Sequence, residues 1–341
     1  MPNYDPVDGL KYLMEKKYQE RLEDQFPVGT DYVSCFKNIE AYLDEHVHPN
    51  INIGAALTGE GLLTDHGAEH VQMVIRNAYY LLRERGIDKL NGCEMFVLLI
   101  AAHLHDTGNV FGRQEHERKI AEVINSLGNL WTLDNPETLM IQGIATSHSG
   151  YVDDDPTDKD TLRLLSYQDY WTHIPVHSAL LASILRFADE ISDDRTRGNR
   201  FLNDLGVVPD ENKIFHEYSM SLSPISIRAN VIDFKYYVKV NYVHERIPLG
   251  NGESKYLYDE ILKRLKKCLC ELEYCRKYAD GLISTTKLNA EVNIMPEEGR
   301  NPVKTTDITL SIKGYPLEDE VSFDTLEFED GESLNSAITE G

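Results

Sequence analysis

The chain of 341 residues predicts a mainly α protein, in which an all-helical domain is followed by a smaller α+β region and an acidic tail. Three observations carry this. From residue 61 to about 205, apolar residues recur at helical spacing nearly throughout. Beyond 205 the period shortens to two, interrupted by one long amphipathic stretch at roughly 254–280. The last stretch, residues 318–341, holds nine acids and no base. These changes set the expected boundaries: an N-terminal helical extension over 1–60, the helical domain over 61–205, a regulatory or oligomerising α+β region over 206–315, and a flexible acidic tail over 316–341.

Each element has its own signal. Residues 1–60 read as short helices joined by loops such as "FPVGTD" and "VHPNINIG". "LTDHGAEHVQMVIRNAYYLLRERG" predicts a helix capped by Thr64 and ended by Gly86. The next opens on "NGCE", where Asn91 and Glu94 form a capping box, and continues through Phe96, Leu98, Leu99 and Ala102. "RQEHERKIAEVINSLG" stops at Gly128, and "NPETLMIQGIATSHSG" starts with Asn135 before Pro136. "VHSALLASILRFADEISDD" completes the helical set. Then Phe234, Tyr236, Val238, Val240 and Tyr242 alternate with polar neighbours as a strand, and "ANVI" and "PISI" nearby suggest a meander. The long helix places Leu257, Ile261, Leu265, Leu269 and Leu272 on one side, and "AEVNIM" and "DITLSI" supply further strands.

Composition narrows the function classes. The hydrophobic fraction of 41% is adequate for a core, and no run reaches the ~18 apolar residues of a membrane span. The N-terminus carries acids early and lacks the apolar stretch of a secretory signal. Five cysteines, odd in number and without a CxxC, point to reduced thiols and a cytoplasmic location. A net charge of −23 argues against gripping long nucleic acid by its backbone. It leaves room for a small anionic substrate, because bound metal ions invert the local field.

The chemistry starts at "LLIAAHLHDTGNV", residues 98–110, where an apolar helix ends in two histidines and an aspartate. Adjacent His105 and Asp106 can face one point only if the helix ends there, and Thr107-Gly108-Asn109 breaks the apolar period. His70, His116, His148 and Asp189 each stand beside apolar residues at helical spacing, on other predicted helices. Taken singly, each is an ordinary core or boundary residue, and Asp189 could pair with Arg186. The ordered series within 120 residues is the stronger signal.

That series resembles the HD superfamily of metal-dependent phosphohydrolases, all-helical enzymes named for their adjacent His-Asp, over roughly residues 60–200. "LHDTG" matches the defining element, and "RFADEIS" is similar to the closing aspartate segment. The resemblance implies His70, His105, Asp106, His116, His148 and Asp189 as metal ligands in the pattern of the dinuclear branch. Their imidazoles and carboxylates suit a divalent transition metal, Mn, Fe, Co or Zn, in two ions per site, or one in some relatives. Asp106 would bridge, with His70, His105 and Asp189 on one ion and His116 and His148 on the other. Water so held would be the nucleophile. "DHGAEHVQMV" also resembles the cyclic-nucleotide phosphodiesterase signature, which makes His66 the general-acid candidate. His103 reads as a packing residue or a support for a neighbouring ligand, and Arg113, Lys119 and Arg195 are the cations proposed to meet the substrate phosphate.

Among HD enzymes the leading comparison is the deoxynucleoside triphosphate triphosphohydrolases. "TGNVFGRQEHE" keeps their Gly108, Phe111, Gly112 and His116-Glu117. It lacks their histidines at 109 and 113, is one residue shorter, and has Asp193 and Arg197 where their sugar contacts stand. In that family the later histidine is catalytic, which puts His116, like Asp106, among the catalytic candidates as well as the ligands. The alternatives are an HD nucleotide phosphatase, a cyclic-nucleotide or dinucleotide phosphodiesterase, or an idle nucleotide-sensing module. Within residues 60–200 the dinucleotide branch's Gly-Tyr-Pro loop does not appear. The resemblance also implies a homo-oligomer tuned by a regulatory nucleotide, and a nucleotide-depleting role in phage infection would suit it. Lys263, Arg264, Lys266 and Lys267 on the long helix read as a solvated face, or as an effector or subunit contact.

Overall fold

The computed structural model describes residues 6–57, 64–314 and 321–340, and its chain divides into two units. The first comprises Met1–Glu60, His66–Ser192 and Cys275–Ser284. Its helices are α1 (Pro6–Glu20), α2 (Tyr32–Tyr42), α3 (Ile51–Ala55), α4 (Ala68–Leu82), α5 (Gly92–Leu104), α6 (Ile120–Ser126), α7 (Asn135–Thr146) and α8 (Ser178–Glu190). Every residue of α5 is buried, as an all-round apolar helix requires. It starts with the expected capping box, in which Asn91 accepts from the Glu94 N–H and Glu94 from the Asn91 N–H, both at 2.9 Å. Around it pack α1, α2, α4, α7 and α8.

Local details depart from the sequence reading. Helix α4 begins at Ala68 behind Gly67, so Thr64 does not cap it. Helix α7 is capped one residue earlier than expected, by Asp134 with Glu137, because Asp134 has the carboxylate that can accept from the third N–H. A short hairpin, β1 (Asp169–Trp171) with β2 (Ile174–Val176), interrupts the expected all-helical stretch. The N-terminal segment, expected as a separate extension, belongs to this unit, with α1 and α2 against α5. Leu10, Met14, Phe36, Ile39 and Leu43 explain this, since such short helices are stable only when their apolar faces are covered.

The second unit comprises Gly61–Asp65, Asp193–Tyr274 and Thr285–Gly341. It contains α9 (Arg200–Asp204), α10 (Asp210–Ser221), β3 (Ser226–Arg228), β4 (Val231–Lys239), α11 (Asn241–His244), the pair β5 (Ile247–Pro248) and β6 (Ser254–Lys255), most of α12 (Leu257–Tyr278), β7 (Lys287–Met295), β8 (Lys304–Ser311) and α13 (Gly331–Glu340). The sheet order is β3-β4-β7-β8. It is not a plain meander: β4 and β7 are parallel, because the long α12 between them forces a crossover.

The acidic C-terminal segment is a correction. Residues 315–320, with Glu318, Asp319, Glu320 and the expected 315/316 boundary, lie outside the described residues, as does the 60/61 boundary. Residues 321–340 carry structure: Thr325 bridges to Thr309, and α13 packs on α11 with Leu334 fully buried. Its acids meet bases from elsewhere in the unit, Glu327 with Lys304 at 2.6 Å and Glu332 with Arg246 at 3.1 Å. A composition count cannot see those partners. All five cysteines are free thiols, four of them buried. Among the described residues no helix is long and apolar enough to cross a membrane.

Candidate metal centre

The α-helical hydrogen bonding of α5 ends at the His-Asp pair. His105 caps the helix, Asp106 sits at φ −102° and ψ 0°, and a 3₁₀ turn, Thr107–Phe111, follows. That break lets two adjacent side chains converge. Gly108 is required at the bend, because a Cβ there would collide with the carbonyl oxygen of His116. His116 opens the 3₁₀ turn His116–Lys119 behind Glu115, whose φ of +52° turns the chain back. His148 lies just past α7, Asp189 one residue before the end of α8, and His70 on the buried side of α4.

The two oxygens of Asp106 face different groups. Oδ2 lies 3.3 Å from His105 Nε2 and 3.5 Å from His70 Nε2, and Asp189 Oδ1 completes this group, 3.1 Å from His70 Nε2 and 3.6 Å from His105 Nε2. Oδ1 lies 3.2 Å from His116 Nε2 and 3.5 Å from His148 Nε2. The four histidines are at most 7% exposed.

Three of these rings are held from behind. Nδ1 donates to a backbone carbonyl three residues earlier in each: His105 to Ala102 at 2.8 Å, His116 to Arg113 at 3.1 Å, His148 to Ala145 at 2.7 Å. Such a bond fixes the ring orientation and turns Nε2 toward the carboxylates, where a neutral ring would present its lone pair. The Nε2 atoms of His116 and His148 lie 3.3 Å apart. His105 Nε2 and both nitrogens of His70 are buried with no hydrogen bond. Lone pairs and carboxylate oxygens aimed at common points fit a cation, and nitrogen-oxygen donor sets of this kind suit divalent transition metals.

The electrostatics agree. Burial works to raise Asp106 and Asp189, yet His105 chief among the neighbouring imidazoles holds both carboxyls well below the usual carboxylate range. Burial disfavours a charged His105, but the Asp106 and Asp189 carboxylates overcome it and hold the ring up at about 10. His148 is pushed down by burial and stays neutral. The centre thus keeps its negative charge and draws positive charge in.

The other expected residues divide. His66 stands before α4, not on it, and its Nδ1 lies 2.7 Å from Asp106 Oδ2. Arg113 reaches to 3.9 Å from Asp106 Oδ1 and donates to Asn109 Oδ1 at 3.3 Å. Lys119 instead donates to the Phe111 carbonyl at 3.3 Å. Arg195 belongs to the second unit, where its backbone N–H bonds the Leu222 carbonyl. Arg186 donates to the Lys159 carbonyl at 3.1 Å and to Thr161 Oγ1 at 3.0 Å. Sequence reasoning passed over Asn109, whose amide holds Asp106 Oδ1 at 3.1 Å, and Glu117, 3.3 Å from His116 Nδ1. Asn109 had a signal, since it sits one turn after the His-Asp pair.

A helical fold converging buried histidines and aspartates on an adjacent His-Asp defines an HD-type domain, the class of metal-dependent hydrolases. A sequence profile of the HD-CE family matches residues 60–267, more than half of the chain, and the chain belongs to that family. No curated protein and no solved structure gives a significant match.

Proposed function

We propose that the chain is a nucleotide phosphohydrolase that works with two divalent transition-metal ions, Mn, Fe, Co or Zn, and converts deoxynucleoside triphosphates to deoxynucleoside and tripolyphosphate. The observation that carries the dinuclear reading is the division of Asp106, one oxygen toward His70 and His105 and the other toward His116 and His148. Ions held there would supply Lewis acidity toward phosphoryl oxygens and water acidic enough to attack at neutral pH. The protein's own groups do the rest. Arg113, steadied by Asn109 and 45% exposed along its side chain, is placed to receive a phosphoryl oxygen. His66, with Nδ1 held by Asp106, hands a proton through Nε2 to the leaving 5′ oxygen as the bond to the α-phosphorus breaks. The substrate class rests on the retained Gly108, Phe111, Gly112 and His116-Glu117.

A second reading, hydrolysis of a nucleotide phosphodiester or monophosphate, draws on the same His66, since an acid beside the bridging carboxylate serves any ester oxygen. Purified protein with Mn²⁺, offered deoxynucleoside triphosphates, nucleoside monophosphates and cyclic nucleotides, separates them by product chromatography. Intact tripolyphosphate is the expected product. Orthophosphate from a monophosphate, or a ring-opened cyclic nucleotide, moves the assignment to the second reading, and tight binding without turnover makes the domain a sensor. A homo-oligomer tuned by a regulatory nucleotide belongs to the same proposal.

A further inference from the structure

A second set of ligating side chains lies in the first unit, apart from the six above. Asp44, His48 and His103 bring ligand atoms within 4.8 Å of one another. Glu40, Asp44 and His48 follow at four-residue steps where α2 runs into a π-helical turn, Leu43–Val47, and then a 3₁₀ turn, His48–Asn50. Insertions of π-helix of this kind often mark functional positions. His103 comes from α5.

His48 Nε2 lies 3.7 Å from Asp44 Oδ1, and His103 Nδ1 lies 3.9 Å from the same oxygen. The two histidines are 2% and 0% exposed, with ring centroids 5.7 Å apart. Five polar atoms here are buried without a hydrogen bond: Asp44 Oδ1 and both ring nitrogens of His48 and His103. A buried polar atom without a partner keeps its full desolvation penalty, so the cluster is costly as it stands. One cation would meet Asp44 Oδ1, His48 Nε2 and His103 Nδ1 together. Ligands about 2.1 Å from a tetrahedral ion stand roughly 3.4 Å apart, so the two edges to Asp44 Oδ1 close by a few tenths of an ångström. His103 Nε2 faces the Glu40 carboxylate at 3.4 Å, and Lys11 pairs with Glu40 from the other side. A carboxylate behind a ligating imidazole is the usual support of a metal site.

We propose that Asp44, His48 and His103 form a further divalent-metal site, zinc in preference, that fastens the segment after α2 to α5, the helix ending in His105-Asp106. The full chain, stripped by chelator and reloaded with zinc, should hold one zinc per chain more than either Asp44→Asn or His48→Gln. Zinc should also raise the thermal midpoint of the wild type more than that of either variant. Equal zinc content in folded variants and wild type overturns the proposal. If neither variant folds, wild-type crystals grown with zinc decide: an anomalous peak bonded to these three side chains supports the site, and no peak there overturns it.

Discussion

At the scale of single residues, the centre depends on positions that contribute no ligand. Gly108 lets the chain after the His-Asp pair pass against the backbone of His116, which a β-carbon would push away. Gly108→Ala should therefore displace His116, weaken Mn²⁺ binding at least tenfold by calorimetric titration, and destabilise the fold by about 1–3 kcal/mol from overpacking. Wild-type affinity in this variant would contradict the close approach. Asn109 acts similarly by holding the inner oxygen of Asp106. The six residues that converge around Asp106 stand out in the sequence because each is a costly polar residue among apolar neighbours. His48 could not, because its partners emerge only when the turn after α2 meets α5.

At the scale of elements, strong periodicity was legible and local exceptions were not. Helices α5 and α8 follow from their apolar spacing. The strand expected to run to Tyr242 stops at Lys239, although alternation continues. There Val240 turns to helical backbone, φ −59° and ψ −31°, and Asn241 opens the short α11, so a local turn overrides the pattern. On α12 the basic face is only partly solvated. Lys263 and Lys267 are exposed, whereas Arg264 stacks over Phe215 and Tyr218 and bonds Glu260 at 3.0 Å. Glu260, 3% exposed, also accepts from Lys255 at 2.8 Å. Burial pushes its carboxyl up, but Lys255 and Arg264 outweigh this and hold it below its ordinary 4.5. A depressed folded value means that the stabilisation is complete above the unfolded value and is lost as pH falls through the folded one. Glu260→Gln should thus cost about 3 kcal/mol in urea unfolding at about pH 7, and clearly less at about pH 4. An equal gap at both pH values would contradict the ion pairing.

At the scale of the whole molecule, the fold class and the ordered His/Asp series that converges on Asp106 were both accessible from the chain alone, because helix period and costly buried groups leave marks in sequence. The division into units was less so. The N-terminal helices join the first unit and the acidic C-terminal segment carries structure, since both depend on partners far along the chain. With a charge of −23, an anionic substrate of the kind proposed would need local positive charge, which metal cations held around Asp106 would supply. The most direct test is an anomalous difference map from wild-type crystals soaked in Mn²⁺. Two peaks are expected about 3.5–4 Å apart, one bonded to His70, His105 and Asp189, the other to His116 and His148, with Asp106 touching both. A single peak, or none beside His116 and His148, would contradict it.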